Sequence, residues 1–204
     1  MSPRPYQLGK RQAQVDDARR RVLDAARALL AESASYTGFT VDAVARKADV
    51  ARATVYYQFG SKTGLLEALC DALAQAGHMD RLAAAFGEAD PRAALTVFVE
   101  TFAGFWDADR TVMRRLRALA PLDPDVGAVI AARDELRRHG ARTLAGRFGL
   151  AADAADDAAR VLYALTGFET VDALAGPDRR PVDVASTVAD MVLQAIEQAA
   201  RRQR

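Results

Sequence analysis

Cysteine is nearly missing from this chain: Cys70 is the single one among 204 residues. An internal disulfide is excluded, and the composition suits a reducing compartment, so a cytoplasmic protein is expected. Histidine is scarce as well. His78 and His139 lie far from each other and from Cys70, without the spacing that metal ligands show, so no metal site is expected. No apolar run is long enough to span a bilayer, and no secretory signal opens the chain. A glycine-rich phosphate loop, a dinucleotide fingerprint and a nucleophile elbow are all absent. The sequence therefore offers no cofactor site and no catalytic constellation. Glycine and proline, 13 and 7 residues, fall mainly between periodic segments. No internal repeat or low-complexity tract occurs.

Ala, Leu, Arg and Asp dominate what is present, and half of the residues are hydrophobic. Good helix formers with apolar positions at helical spacing indicate an all-α chain of about nine helices. The net charge of +1 conceals an asymmetry. Residues 1–62 hold 11 Lys and Arg against 6 Asp and Glu, whereas residues 63–204 hold 17 against 21. A basic N-terminal third is the electrostatic footprint expected of contact with phosphate. The chain is expected to divide at this change of sign into a basic N-terminal domain, 1–62, and a second helical domain, 63–204.

Taken in order, residues 1–13, with Pro3, Pro5, Gly9, Lys10 and Arg11, form a basic arm. A first helix runs from about Val15 to Ser33 on the stripe Val22, Ala25, Ala26, Leu29 and Leu30. Tyr36-Thr37-Gly38-Phe39 connects it onward. Helix four begins at Ser61, with Leu65, Leu66, Leu69, Cys70 and Leu73 on its buried side. Asp90-Pro91 and Asp123-Pro124 are N-cap-plus-proline starts. One long helix is expected over Asp153 to Ala175, stopped by Gly176, and a last one follows the GPDRRP loop.

The stretch Thr40 to Lys62, TVDAVARKADVARATVYYQFGSK, speaks most directly of function. Thr40 caps a short helix whose first turn carries Asp42. Val41, Val44, Ala45 and Ala48 give it a small apolar face against which another helix can pack closely. Asp49 sits at the turn, where it tolerates a left-handed conformation, and Val50 plugs the core behind it. A second short helix then runs from Ala51 to Phe59. Arg52, Ala53, Thr54, Tyr56, Tyr57 and Gln58 share its two turns, and most of these side chains can hydrogen-bond to bases or phosphates. Ser61 caps the next helix, and Lys62 in its first turn can meet a phosphate, helped by the helix dipole.

These residues resemble the DNA-binding region of the tetracycline-repressor (TetR-type) family of bacterial transcriptional regulators. Thr40, Val44-Ala45, Ala48, Val50, Thr54, Val55-Tyr56, Phe59, Lys62 and Leu65 fall in register with that family's pattern. Three positions depart from it: Asp49 stands for the usual turn glycine, Ala51 for a capping serine, and Gln58 for a common histidine or tyrosine. The resemblance implies an N-terminal three-helix helix-turn-helix domain followed by a C-terminal helical domain for ligand binding and dimerisation. It implies a DNA operator read by Thr40, Arg52, Ala53, Thr54, Tyr56, Tyr57 and Lys62. It also implies a small-molecule effector, apolar or amphipathic, in the C-terminal helices.

The aromatic row Phe98, Phe102, Phe105 and Trp106 reads either as ordinary core or as the wall of that effector cavity. Met113, Leu116, Leu136, Tyr163 and Phe168 extend the wall, and Arg133 and His139 can fix a polar effector group, as can Arg137. Leu162, Leu165, Phe168, Val184, Val188, Met191 and Val192 lie on the two last helices. The resemblance assigns these helices to a homodimer, and two reading heads suit a palindromic operator. The expected function is that of a ligand-responsive repressor. An architectural DNA-binding protein without an effector, or a helical enzyme acting on a hydrophobic substrate, are the alternatives. No membrane partner is expected.

Overall fold

The computed structural model describes residues 4–32 and 39–202, with side chains from residue 12 onward. Among them are eleven α-helices, not about nine, and no strand. They are α1 Arg4–Glu32, α2 Val41–Lys47, α3 Arg52–Phe59, α4 Lys62–Ala76, α5 Leu82–Gly87, α6 Pro91–Ala108, α7 Arg110–Leu119, α8 Pro124–Ala145, α9 Ala152–Leu165, α10 Phe168–Ala175 and α11 Ala185–Arg202. Short 3-10 turns lead into α5 at Met79–Arg81 and into α11 at Pro181–Val184.

The arm expected over residues 1–13 is helical from Arg4, where α1 begins; residues 1–3 lie outside the described residues. Ser33 and the expected connection at 36–38 also lie outside them. The two additional helices have separate origins. Helix four stops at Ala76 and α5 forms independently, after His78 has turned left-handed at φ 55°. The single helix expected over 153–175 is broken at Thr166-Gly167. Two distant side chains take up carbonyls at that break. The indole of Trp106 donates to the Thr166 carbonyl at 2.9 Å, and Arg137 donates to the Tyr163 carbonyl. Helix ends need such partners, and the residues that supply them here are remote in sequence.

The chain forms two compact units: Met1–Ala72 with Arg115–Val129, and Leu73–Arg114 with Ile130–Arg204. In the first, Val22, Ala26 and Leu30 of α1 are buried with Val44, Ala45, Val55, Leu65, Leu66 and Leu69. Cys70 is buried there too, as is Phe39. In the second, α6 is central and packs against α5, α10 and α11. Asp90 caps it by accepting from the backbone N–H of Arg92 and Ala93, each at 3.2 Å. Gly140 of α8 lies against this helix; a Cβ there would approach the Phe98 ring to 3.1 Å. Glycine at that position permits the close approach.

Candidate nucleic-acid interface

The interface is built from α2, α3 and the turn between them. Thr40 is extended and its hydroxyl accepts from the Ala43 N–H at 3.1 Å, which starts α2. The end of α2 is a Schellman turn. The Val50 N–H donates to the Ala45 carbonyl at 3.1 Å, and the Asp49 N–H donates to the Arg46 carbonyl at 3.3 Å. Asp49 takes the left-handed position at φ 53°, as expected of an Asp standing where glycine is favoured. Val50 is half-buried. Ala51 precedes α3 with no side-chain cap.

Only Val55 of α3 is fully buried. Arg52, Ala53, Tyr56 and Tyr57 are exposed and Thr54 is half-buried. Tyr57 is 82% exposed, a large aromatic side chain that a folded core does not account for. Gln58 serves a different purpose. Its amide donates to the Val15 carbonyl of α1 at 3.1 Å. Arg19 reciprocates, donating to the Gln58 carbonyl at 3.3 Å while lying 4.6 Å over the Phe59 ring. Gln58 thus sets the seat of α3 on α1.

Arg52 is held in place. Its Nη1 donates to Asp42 Oδ2 at 3.3 Å, Nε stands 3.2 Å from Oδ1, and Nη2 donates to the Tyr56 hydroxyl at 3.2 Å. The Tyr56 hydrogen bond and then the Asp42 charge raise the guanidinium further above its ordinary value. Lys62 is half-buried and paired with carboxylates of the same unit. Its ammonium donates to Asp123 and lies 3.7 Å from Asp125. Beside it the Thr63 hydroxyl donates to Asp125 at 2.9 Å. Asp123 also accepts from the N–H groups of Asp125 and Val126 at the start of α8. Burial pushes the Asp123 carboxyl up, but Lys62 and these two amides outweigh it and hold it below its usual range. Sequence reasoning did not find Asp42, Asp123 and Asp125 as partners. An acidic residue on another helix, ten or about sixty residues away, has no local signature.

In the second unit the rings of Phe98 and Phe102 stand 4.8 Å apart, Phe102 and Trp106 6.0 Å, Phe105 and Trp106 4.6 Å, and Trp106 and Phe168 5.6 Å. The expected aromatic row is therefore one continuous stack of side chains. Met113 is buried in the same unit, whereas Leu116 is buried in the other. Leu136 is 67% exposed and His139 is exposed. Both lie on the outside of α8, because the apolar side of that helix is occupied by Ala141, Leu144 and Ala145. Arg133 is half-buried. Arg137, by contrast, is buried, 4.0 Å from the Tyr163 ring centroid, and bonded to Asp134 at 3.3 Å.

The residues expected at a subunit seam divide in the same way. Leu162, Phe168, Val184, Val188 and Val192 are buried within a single chain. Their stripe is covered by α6 and by the packing of α9 on α11, so it closes the chain's own core. Met191 is exposed and Leu165 half-buried. Between α9 and α11 runs an open groove with an alanine and valine floor, Ala154, Ala158, Val161, Ala195 and Ala199, and with Asp153, Asp157, Gln198 and Arg202 also lining it.

A short helix that offers polar and aromatic side chains to solvent, set by a tight turn behind another short helix, has the arrangement of a helix-turn-helix. Residues 22–69 match the family model described as bacterial regulatory proteins, tetR family. No curated protein matches the chain. Among solved structures, NalD, the secondary repressor of the MexAB-OprM multidrug efflux pump in Pseudomonas aeruginosa, superposes with a TM-score of 0.67 at 20% identity. That match covers 89% of this chain and 96% of NalD. A transcriptional regulator from Rhodococcus sp. RHA1 gives 0.65 at 21% identity over 88% and 96%. FadR from Bacillus subtilis, solved with stearoyl-CoA, gives 0.63 at 16% over 86% and 98%. The chain has the fold of TetR-type transcriptional regulators.

Proposed function

We propose that this protein is a cytoplasmic, ligand-responsive transcriptional repressor that binds a palindromic DNA operator as a homodimer. A small hydrophobic or amphipathic effector releases it. The observation that carries the reading is α3. It buries Val55, is seated on α1 by Gln58, and leaves Arg52, Ala53, Tyr56 and Tyr57 in solvent. Thr40 caps the helix in front of it, Thr54 lies beside them, and Lys62 opens the helix behind. Arg52 reads a guanine edge, and the hydroxyls and Lys62 meet phosphates. One short helix gives too little contact for specific affinity, so two copies address the two halves of a palindrome. The outward faces of α9 and α11, with Met191 and Leu165, are the surfaces left for a second copy.

The effector site is assigned to the aromatic row of α6, with Phe168 and Met113 beside it. FadR's stearoyl-CoA is an amphipathic ligand, which supports that class of effector. The ligand acts by binding the DNA-free state more tightly. A tenfold loss of DNA affinity requires about 1.4 kcal/mol of coupling. The test begins with selection from random duplexes by the full chain, followed by titration of the enriched sequence. A two-fold symmetric site is expected, as is an effector that alters Trp106 emission and releases that site. Failure to enrich any palindrome overturns the reading.

A further inference from the structure

We propose that Asp42 is a positioning residue for DNA recognition: it orients the Arg52 guanidinium for its base contact and makes binding depend on sequence. The inference rests on the DNA-binding reading above and assigns a role to a residue outside the reading helix. Asp42 belongs to the first turn of α2, whereas Arg52 opens α3. Their side chains are 49% and 59% exposed. An ion pair that open adds little to the stability of a fold, so its geometry is the informative feature. Asp42 takes two nitrogens of the fork and the Tyr56 hydroxyl takes the third. The Tyr56 ring lies 5.4 Å from the guanidinium carbon. These contacts come from two helices and fix the plane of the group. Each Nη uses one hydrogen and retains a second, so donors remain for a base edge. A side chain arranged before binding loses less freedom on reaching the base.

Asp42 has an opposite effect on the rest of the duplex. A carboxylate beside the reading helix repels phosphate and opposes binding to any sequence. The two effects together produce selectivity: weaker binding everywhere, and a better-directed contact at one base pair. Removing the charge should therefore move two quantities in opposite directions, which loss of an ordinary structural contact would not do.

The test uses the full-length chain and the duplex enriched by selection, against random duplex of equal length. Asp42→Asn should bind random DNA more tightly, while its preference for the selected site falls about tenfold, the scale of one base contact. In an Arg52→Ala background the same substitution should leave the preference unchanged. Tyr56→Phe, which retains the ring and removes the hydroxyl, should lower the preference by a smaller factor. Circular dichroism and urea midpoints of each variant identify any that fold poorly. A preference untouched by Asp42→Asn overturns the inference. So does a preference that falls equally with and without Arg52, because Asp42 would then act through α2 itself. Neither result affects the DNA-binding reading, whereas a wild-type chain that prefers no sequence overturns both.

Discussion

Arg110 shows how much one side chain can organise. Its Nη groups donate to the carbonyls of Asp172 at 3.1 Å, Gly176 at 2.7 Å and Arg179 at 2.9 Å. Its Nε pairs with the Asp172 carboxylate, which Arg114 also holds at 2.7 Å. The end of α10, where Gly176 turns to φ 64°, is thereby capped from another helix. Arg110→Ala should cost about 2–4 kcal/mol, because it leaves carbonyls and a largely buried carboxylate short of donors; urea unfolding measures it. Burial raises the Asp172 carboxyl, but hydrogen bonds from Arg114 and Arg110 outweigh it and hold the group below its ordinary 3.8. A lowered folded value means that the stabilisation is complete above the ordinary value. It is lost as pH falls through the lowered one. Asp172→Asn should consequently cost stability at neutral pH and shrink the difference from wild type in strong acid. An equal deficit at both would mean that charge is not what Asp172 contributes.

At the scale of elements, the first turns of α4 and α8 are fastened together by Lys62 with Asp123 and Thr63 with Asp125. Lys62 therefore has two sets of possible partners, these carboxylates and an operator phosphate. Each phosphate neutralised contributes about 0.9 to the slope of log affinity against log salt. Lys62→Ala should flatten that slope by about this amount and weaken all sequences alike. An unchanged slope would restrict Lys62 to its role inside the unit. The helix starts were legible because a cap is a local device: Thr40, Asp90 and Ser61 accept from N–H groups two or three residues on. The break at Thr166-Gly167 was not legible. Leu162, Leu165 and Val171 keep an apolar rhythm across it, while Trp106 and Arg137, which satisfy it, lie sixty and about thirty residues away. The small helix α5 escaped notice because its six residues are too few to display a period.

For the molecule as a whole, hydrophobic periodicity showed which side of α11 is covered but not what covers it. Val188 and Val192 serve the chain's own core, and Met191, their neighbour, faces out. That difference separates two kinds of variant. Val188→Asp places a charge among packed apolar groups and should unfold the second unit. Met191→Asp should preserve helicity and, on the proposed dimer, yield monomers by light scattering. A dimeric Met191→Asp chain would shift the seam away from this face of α11.

Each compact unit also contains one atom set that the rest of the chain does not duplicate. The only thiol, Cys70, is buried in the first, and the only indole, Trp106, is buried in the second. An alkylating reagent added to the native protein reacts with Cys70 only as often as its surroundings open. Its rate at saturating reagent counts opening events in the unit that carries the helix-turn-helix. Trp106 emission, followed in the same denaturant, counts them in the other. Without any substitution, the sequence thus carries two independent clocks. Coincident readings would mean that the chain opens as one cooperative body, and divergent readings would rank its units by local stability.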